Sequence, residues 1–128
     1  MRLLLDTHAF LWWITNDERL SARCVAALSD RETEVYLSVA AAWEMAIKYP
    51  LGRLKLDAPP DVFIPREIKS NGIIVLPVSL PHVLRTAALP PIHRDPFDRL
   101  MVAQSQIEQM DLVTVDPLIL KYVVNTFW

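Results

Sequence analysis

The sequence predicts an α/β fold in which a mainly parallel central sheet is flanked by helices. Three observations point there. Short apolar or β-branched runs, at Leu3-Leu4-Leu5, Glu34–Leu37, Ile73–Val78 and Leu112–Val115, alternate with segments of helical character. The connections between them are short, as expected of strands joined by helical crossovers. No repeat, low-complexity tract or linker divides the 128 residues, a length that suits a single domain, 1–128.

The first run ends at Asp6-Thr7, both helix-capping types, and Ala9-Phe10-Leu11-Trp12-Trp13-Ile14 follows as a helix. Ser21 can cap a helix through Val25 and Leu28, after which Glu34-Val35-Tyr36-Leu37 is the second strand. Ser38 then caps Val39–Tyr49, an alanine-rich helix stopped by Pro50. After the breaker at Asp57–Pro60 comes a helix carrying Val62, Ile64 and Ile68, limited or bent by Pro65 and ended by Gly72. Ile73–Val78 is the third strand, interrupted by Pro77. Ser79 and Pro81 open a helix holding Val83, Leu84, Ala87 and Ala88, closed by Pro90-Pro91. Asp95-Pro96 begins the helix with the clearest periodicity, Leu100, Ala103, Ile107 and Met110 marking its buried face. Leu112–Val115 is the fourth strand, Asp116-Pro117 caps one more helical turn through Leu120, and Val123-Val124 is a candidate edge strand.

Hydrophobic residues make up 52% of the chain and charged residues 22%, so a core is available and intrinsic disorder is excluded. With only Gly52 and Gly72, no glycine-rich phosphate cradle can be built. A net charge of −2 is too small to hold a polyanion by bulk electrostatics, so any nucleic-acid site must be local. Cys24, the one cysteine, rules out an internal disulfide framework and reads as a small buried hydrophobe. No apolar run approaches the ~20 residues that span a bilayer, and Asp6 interrupts the first run too early for a signal peptide. The expectation is a soluble, cytoplasmic protein without membrane partners.

In parallel sheets, ligands bind beyond the carboxyl ends of the strands. Asp6, Glu44, Asp98 and Asp116 all map to that edge. Glu44 lies roughly 6 Å deeper along its helix than a cap, and side chains lean toward the helix N-terminus to shorten the gap. Taken singly, each acid has a structural reading: Asp6, Asp95 and Asp116 as helix caps, Glu44 as the i, i+4 partner of Lys48. Taken together they are costly, because two carboxylates ~5 Å apart repel by about 3 kcal/mol even at an effective dielectric of 20. A cation offsets that cost, and oxygen-only ligands select Mg²⁺ or Mn²⁺ over zinc. Such an ion would also reverse the local sign toward a phosphodiester, with Lys48, Arg94 and Arg99 placed to hold phosphates. His8, His82 and His93 are far apart and lack a metal-binding spacing; Trp12, Trp13 and Trp43 lie in apolar helices, where packing is the expected role.

Four fragments in order, Leu3-Leu4-Leu5-Asp6-Thr7-His8, Ser38 through Trp43-Glu44-Met45-Ala46-Ile47-Lys48 to Gly52, His93-Arg94-Asp95-Pro96-Phe97-Asp98-Arg99-Leu100, and Val113-Thr114-Val115-Asp116, resemble a PIN-domain ribonuclease of the VapC-like toxin type. The resemblance covers nearly the whole chain and implies a three-layer sandwich. It also implies that Asp6, Glu44, Asp98 and Asp116 form an acidic quartet holding Mg²⁺ or Mn²⁺, with Thr7 and Thr114 as accompanying hydroxyls. The activity implied is endoribonuclease cleavage of RNA with a metal-activated water, in a toxin that is blocked by a cognate antitoxin and usually forms a homodimer. Within the third fragment Asp95 is assigned the cap and Asp98 the metal, because Asp98 begins the apolar helix register. Two competing readings remain. A non-catalytic protein-binding module would use the acids only as caps, and a small-molecule phosphatase lacks an aspartate at position 8, where His8 stands.

Overall fold

The computed structural model describes residues 1–128. Its strands are β1 (Arg2–Leu5), β2 (Glu34–Ser38), β3 (Ile74–Leu76), β4 (Asp111–Val113) and β5 (Thr126–Phe127). The helices are α1 (Thr7–Ile14), α2 (Ala22–Ser29), α3 (Val39–Lys48), α4 (Pro60–Asn71), α5 (Leu80–Thr86) and α6 (Pro96–Glu108), with a 3₁₀ turn at Ile119–Lys121. The five strands form one sheet in the order β3-β2-β1-β4-β5, and every neighbouring pair is parallel. Successive strand residues point to opposite faces, yet Leu3, Leu4 and Leu5 are all fully buried. Both faces of β1 are therefore covered, as an α/β sandwich requires. The expected fold class holds.

The strand order explains where a site belongs. The chain runs outward from β1 through β2 to β3, then crosses back to place β4 on the other side of β1. The order thus reverses between β1 and β4, and in such sheets the crevice opens outside the carboxyl ends of the strands flanking the reversal. Leu5 pairs with Val113, so the residues that leave the sheet there side by side are Asp6 and Thr114.

Local rules set the helix starts. Asp6, Ser21, Ser38 and Asp95 each accept a backbone N–H from the first turn of the helix they precede. Gly72 ends α4 at φ 63, a left-handed conformation that suits glycine. Helix α4 continues unbroken through Pro65, whose face is exposed, so the carbonyl that the missing N–H leaves unpaired, on exposed Asp61, is open to water.

Three local expectations are corrected. The edge strand is Thr126–Phe127, not Val123-Val124: Phe127 buries its ring beside Val113, whereas Val123 is 91% exposed. Helix α6 buries Met101 through Ser105, a broad face that includes Gln104, while Leu100 and Ile107 are only partly covered. That helix stops at left-handed Gln109, which turns Met110 into the core beyond it. Strand β3 ends before Pro77, which cannot donate to a ladder.

Leu4 sits at the centre of the central strand with no exposed surface. Leu4→Ala is expected to cost about 3 kcal/mol through lost burial and the cavity left behind, read as a lower urea midpoint with an unchanged m value.

Candidate active site

Each of the four acids is placed by its own element. Asp6, at the end of β1, accepts the Ala9 N–H at 2.7 Å on one carboxylate oxygen and so caps α1. Burial pushes its pKa up, and the Thr114 hydroxyl and the Ala9 N–H pull it back only in part. Asp116, just past β4, accepts the Leu118 N–H at 2.8 Å on Oδ1, and its own N–H donates to the Thr114 hydroxyl at 3.1 Å. Thr114 thus ties Asp6 to Asp116.

Glu44 lies in the second turn of α3 and is buried. Thr7, at the start of α1, donates its hydroxyl to Glu44 Oε1 at 2.7 Å, and the Lys48 ammonium donates to Oε2. Glu44 in turn holds the Lys48 pKa above its ordinary value. Asp98 opens α6 under the cap formed by Asp95, whose Oδ1 accepts the N–H groups of Phe97 and Asp98. Its pKa is pushed up to about 7, by burial first and then by the neighbouring charges of Asp95, Glu44 and Asp6, with His93 opposing.

His93 is the residue that sequence spacing did not single out. Its Nε2 lies 3.1 Å from Asp98 Oδ2 and 3.1 Å from Asp116 Oδ2. The Asp95 N–H donates to its Nδ1 at 3.0 Å, so Nδ1 keeps a lone pair and the ring proton resides on Nε2. His93 therefore donates to Asp116 Oδ2, stands beside Asp98 Oδ2 without a hydrogen bond to it, and offers no nitrogen lone pair toward either. For Asp116, burial raises the pKa, but the His93 bond and the backbone donors outweigh it and leave the group below its ordinary value. The Tyr122 hydroxyl accepts the backbone N–H of His93 at 2.7 Å and an Arg99 side-chain N–H at 3.2 Å.

Arg99 is corrected accordingly. Expected at a phosphate, its guanidinium instead donates to the carbonyls of Thr86, Leu89 and Pro90 and to Tyr122, bracing the loop that carries His93. Arg94 is exposed and makes no hydrogen bond or ion pair within the chain, and Lys48 sits on Glu44. Trp43 is also corrected: it is not core but 60% exposed, and stands edge-to-face with Phe97 at 5.3 Å.

Ligand atoms of Asp98, Asp116 and His93 lie within 4.8 Å of one another. Asp6 and Glu44 do not enter that tight group, although Asp98 feels the charge of both. The donor set fits a divalent cation. Burial raises the pKa values of Asp6 and Asp98, so a bound cation would favour their ionised forms, and the ligand atoms available are oxygens, which suit Mg²⁺ or Mn²⁺. The largest surface groove, about 500 Å³ between α1 and α4, contains none of the four acids.

With this geometry in place, comparison with known proteins is decisive for the family. A PIN domain family model matches residues 3–123. The chain belongs to the PIN domain family. Among solved structures this PIN domain is similar to a chain of VapBC2 from Rickettsia felis, determined bound to a DNA fragment from its promoter. That match has 13% identity and a TM-score of 0.72, and covers 98% of this chain and 96% of the other. It is also similar to a chain of a toxin–antitoxin complex from Klebsiella pneumoniae, with 17% identity, a TM-score of 0.57 and coverage of 88% and 84%. At these identities the likeness shows the fold. No curated protein matches the chain.

The Asp98 pKa carries a stability consequence. A carboxyl at about 7 in the folded chain and 3.8 when free binds more protons folded than unfolded between those values, so its ionisation erodes stability as pH rises from about 4 to about 7. Asp98→Asn is expected to match the native chain near pH 4. At pH 8, without divalent ions, it should exceed it by on the order of 4 kcal/mol. Chemical denaturation at the two pH values checks this.

Proposed function

We propose that this PIN domain is a Mg²⁺- or Mn²⁺-dependent endoribonuclease and the toxin of a toxin–antitoxin pair. The observation that carries the reading is the meeting of Asp98 and Asp116, with ligand atoms within 4.8 Å of each other and of His93, within the fields of Asp6 and Glu44 at the carboxyl edge of the sheet. A fold gains nothing from that arrangement alone, whereas an ion-dependent site needs it. PIN domains are generally nucleases, and both similar structures are of toxin–antitoxin systems, which supports the biological setting.

In this reading Asp6, Asp98, Asp116 and Glu44 hold the ion, and when bound it offsets charge on a phosphodiester and eases deprotonation of an attacking water. The chain's own residues do the positioning. Thr7 orients Glu44, Thr114 spaces Asp6 from Asp116, and His93 donates its Nε2 proton to Asp116 while standing 3.1 Å from Asp98. Arg94, without a partner in the chain, holds a flanking phosphate, and Lys48 braces Glu44. Leu80 and Leu84, exposed one turn apart on α5, support self-association into a homodimer, and the complexes of the similar structures support a cognate antitoxin. No helix is long and apolar enough to cross a membrane, and buried Cys24 is free, both in keeping with a cytoplasmic setting.

Incubation of the purified chain with single-stranded RNA tests the reading. Cleavage is expected with Mg²⁺ or Mn²⁺ and not with EDTA, and Asp6→Asn or Asp98→Asn should slow it at least about 100-fold, the scale on which preorganised charge stabilisation acts. The same ions should raise the melting temperature of the native chain, and less so in Asp98→Asn. Equal cleavage by native and variant proteins would overturn the nuclease reading, and an absent metal-dependent shift would favour a non-catalytic binding module.

A further inference from the structure

The side chains next in sequence to two of the acids meet outside the acidic cluster. Trp43 precedes Glu44 on α3 and Phe97 precedes Asp98 on α6, and their rings stand edge-to-face at 5.3 Å with an interplanar angle of 83°. An edge-to-face partner pins the indole while leaving its surface open, and 60% of Trp43 is exposed. An apolar ring so exposed is not held there by burial.

Beside it runs a groove of about 430 Å³ lined by Trp43, Val83, Thr86, Arg94, Arg99 and Leu100, with Pro96 at its edge. The volume is that of a small-ligand site. No carboxylate lines the groove, although acids crowd the cluster a few residues away. It carries two guanidinium groups instead: Arg94, with no partner in the chain, and Arg99, fixed on backbone carbonyls and still charged. An anionic, flat-faced ligand complements such a surface, and it would lie within one residue of the phosphodiester site.

We propose that Trp43 is a stacking platform for a single-stranded nucleobase next to the cleaved bond, with Arg94 on the adjoining phosphate. Base–aromatic stacking tolerates any base, so the subsite selects unpaired over paired RNA. This inference rests on the nuclease reading, and the experiment separates the two.

The probe is a single-stranded RNA ten-mer carrying one 2-aminopurine, whose fluorescence falls when the base stacks, with the label moved through the sequence. The native chain is expected to quench it at one position. Trp43→Ala should abolish the quench and raise KM about tenfold, the larger part of its loss falling on KM and not on kcat, while Trp43→Phe retains most of both. Arg94→Ala should weaken binding and lower its salt slope by about one. Trp43→Ala with native quench and KM overturns the subsite. So does a Trp43→Ala chain that turns from dimer to monomer by light scattering with native RNA affinity, which makes this face an interface between copies. A Trp43-dependent quench without cleavage in Mg²⁺ or Mn²⁺ overturns the nuclease reading alone and upholds the subsite.

Discussion

The structure depends on holding like charges together. Carboxylates about 5 Å apart repel by about 3 kcal/mol at an effective dielectric of 20, and burial adds to the cost of ionising each one. The fold meets this by giving each acid a fixed partner. Thr7 and Lys48 take the two oxygens of Glu44, the Ala9 N–H takes one oxygen of Asp6, the Leu118 N–H takes one of Asp116, and His93 stands between Asp98 and Asp116. Asp98 has no backbone donor on its carboxylate, and burial with the charges of Asp95, Glu44 and Asp6 pushes its pKa up to about 7, which makes it a point where added positive charge stabilises.

Topology delivers these groups to one place. The strand order reverses between β1 and β4, where the loops after those two strands begin, and the parallel register sets Asp6 beside Thr114. Helices α3 and α6 then bring Glu44 and Asp98 in from either side. A second layer of contacts fixes the loop before α6: Arg99 gathers three carbonyls and Tyr122, and Tyr122 takes the His93 N–H. An arginine and a tyrosine remote from the carboxylates thereby set the position of the imidazole between them.

Much of this was legible in the chain because local rules and the site use the same residues. Asp6 reads as a cap and is one, whereas Asp116 closes a turn onto the Leu118 N–H ahead of the 3₁₀ segment and gives its other oxygen to His93, so a local role and a place in the cluster are not alternatives. Asp95 is the cap that the sequence suggests, because its carboxylate accepts the Phe97 and Asp98 N–H groups that start α6. His93 was invisible because its partners come from α6 and the loop after β4, and no spacing encodes a meeting across the fold. Arg99 reads from the sequence as a phosphate-holding cation, since a sequence does not show that neighbouring carbonyls will claim its donors. Trp43 was read as core from its apolar helix, where composition does not tell which face is left without a neighbour. Val123-Val124 has strand propensity, but pairing with β4 is decided by the buried ring of Phe127.

The central claim is that Asp98, buried among the charges of Asp95, Glu44 and Asp6, carries a cost of ionisation that a divalent ion relieves. The most direct measurement is a pH titration of the Asp98 side-chain carboxyl by ¹³C NMR, in EDTA and then in Mg²⁺. The expected result is a midpoint of about 7 in EDTA that drops well below it when Mg²⁺ is added. A midpoint in the ordinary carboxylate range near 4, unmoved by Mg²⁺, would contradict it.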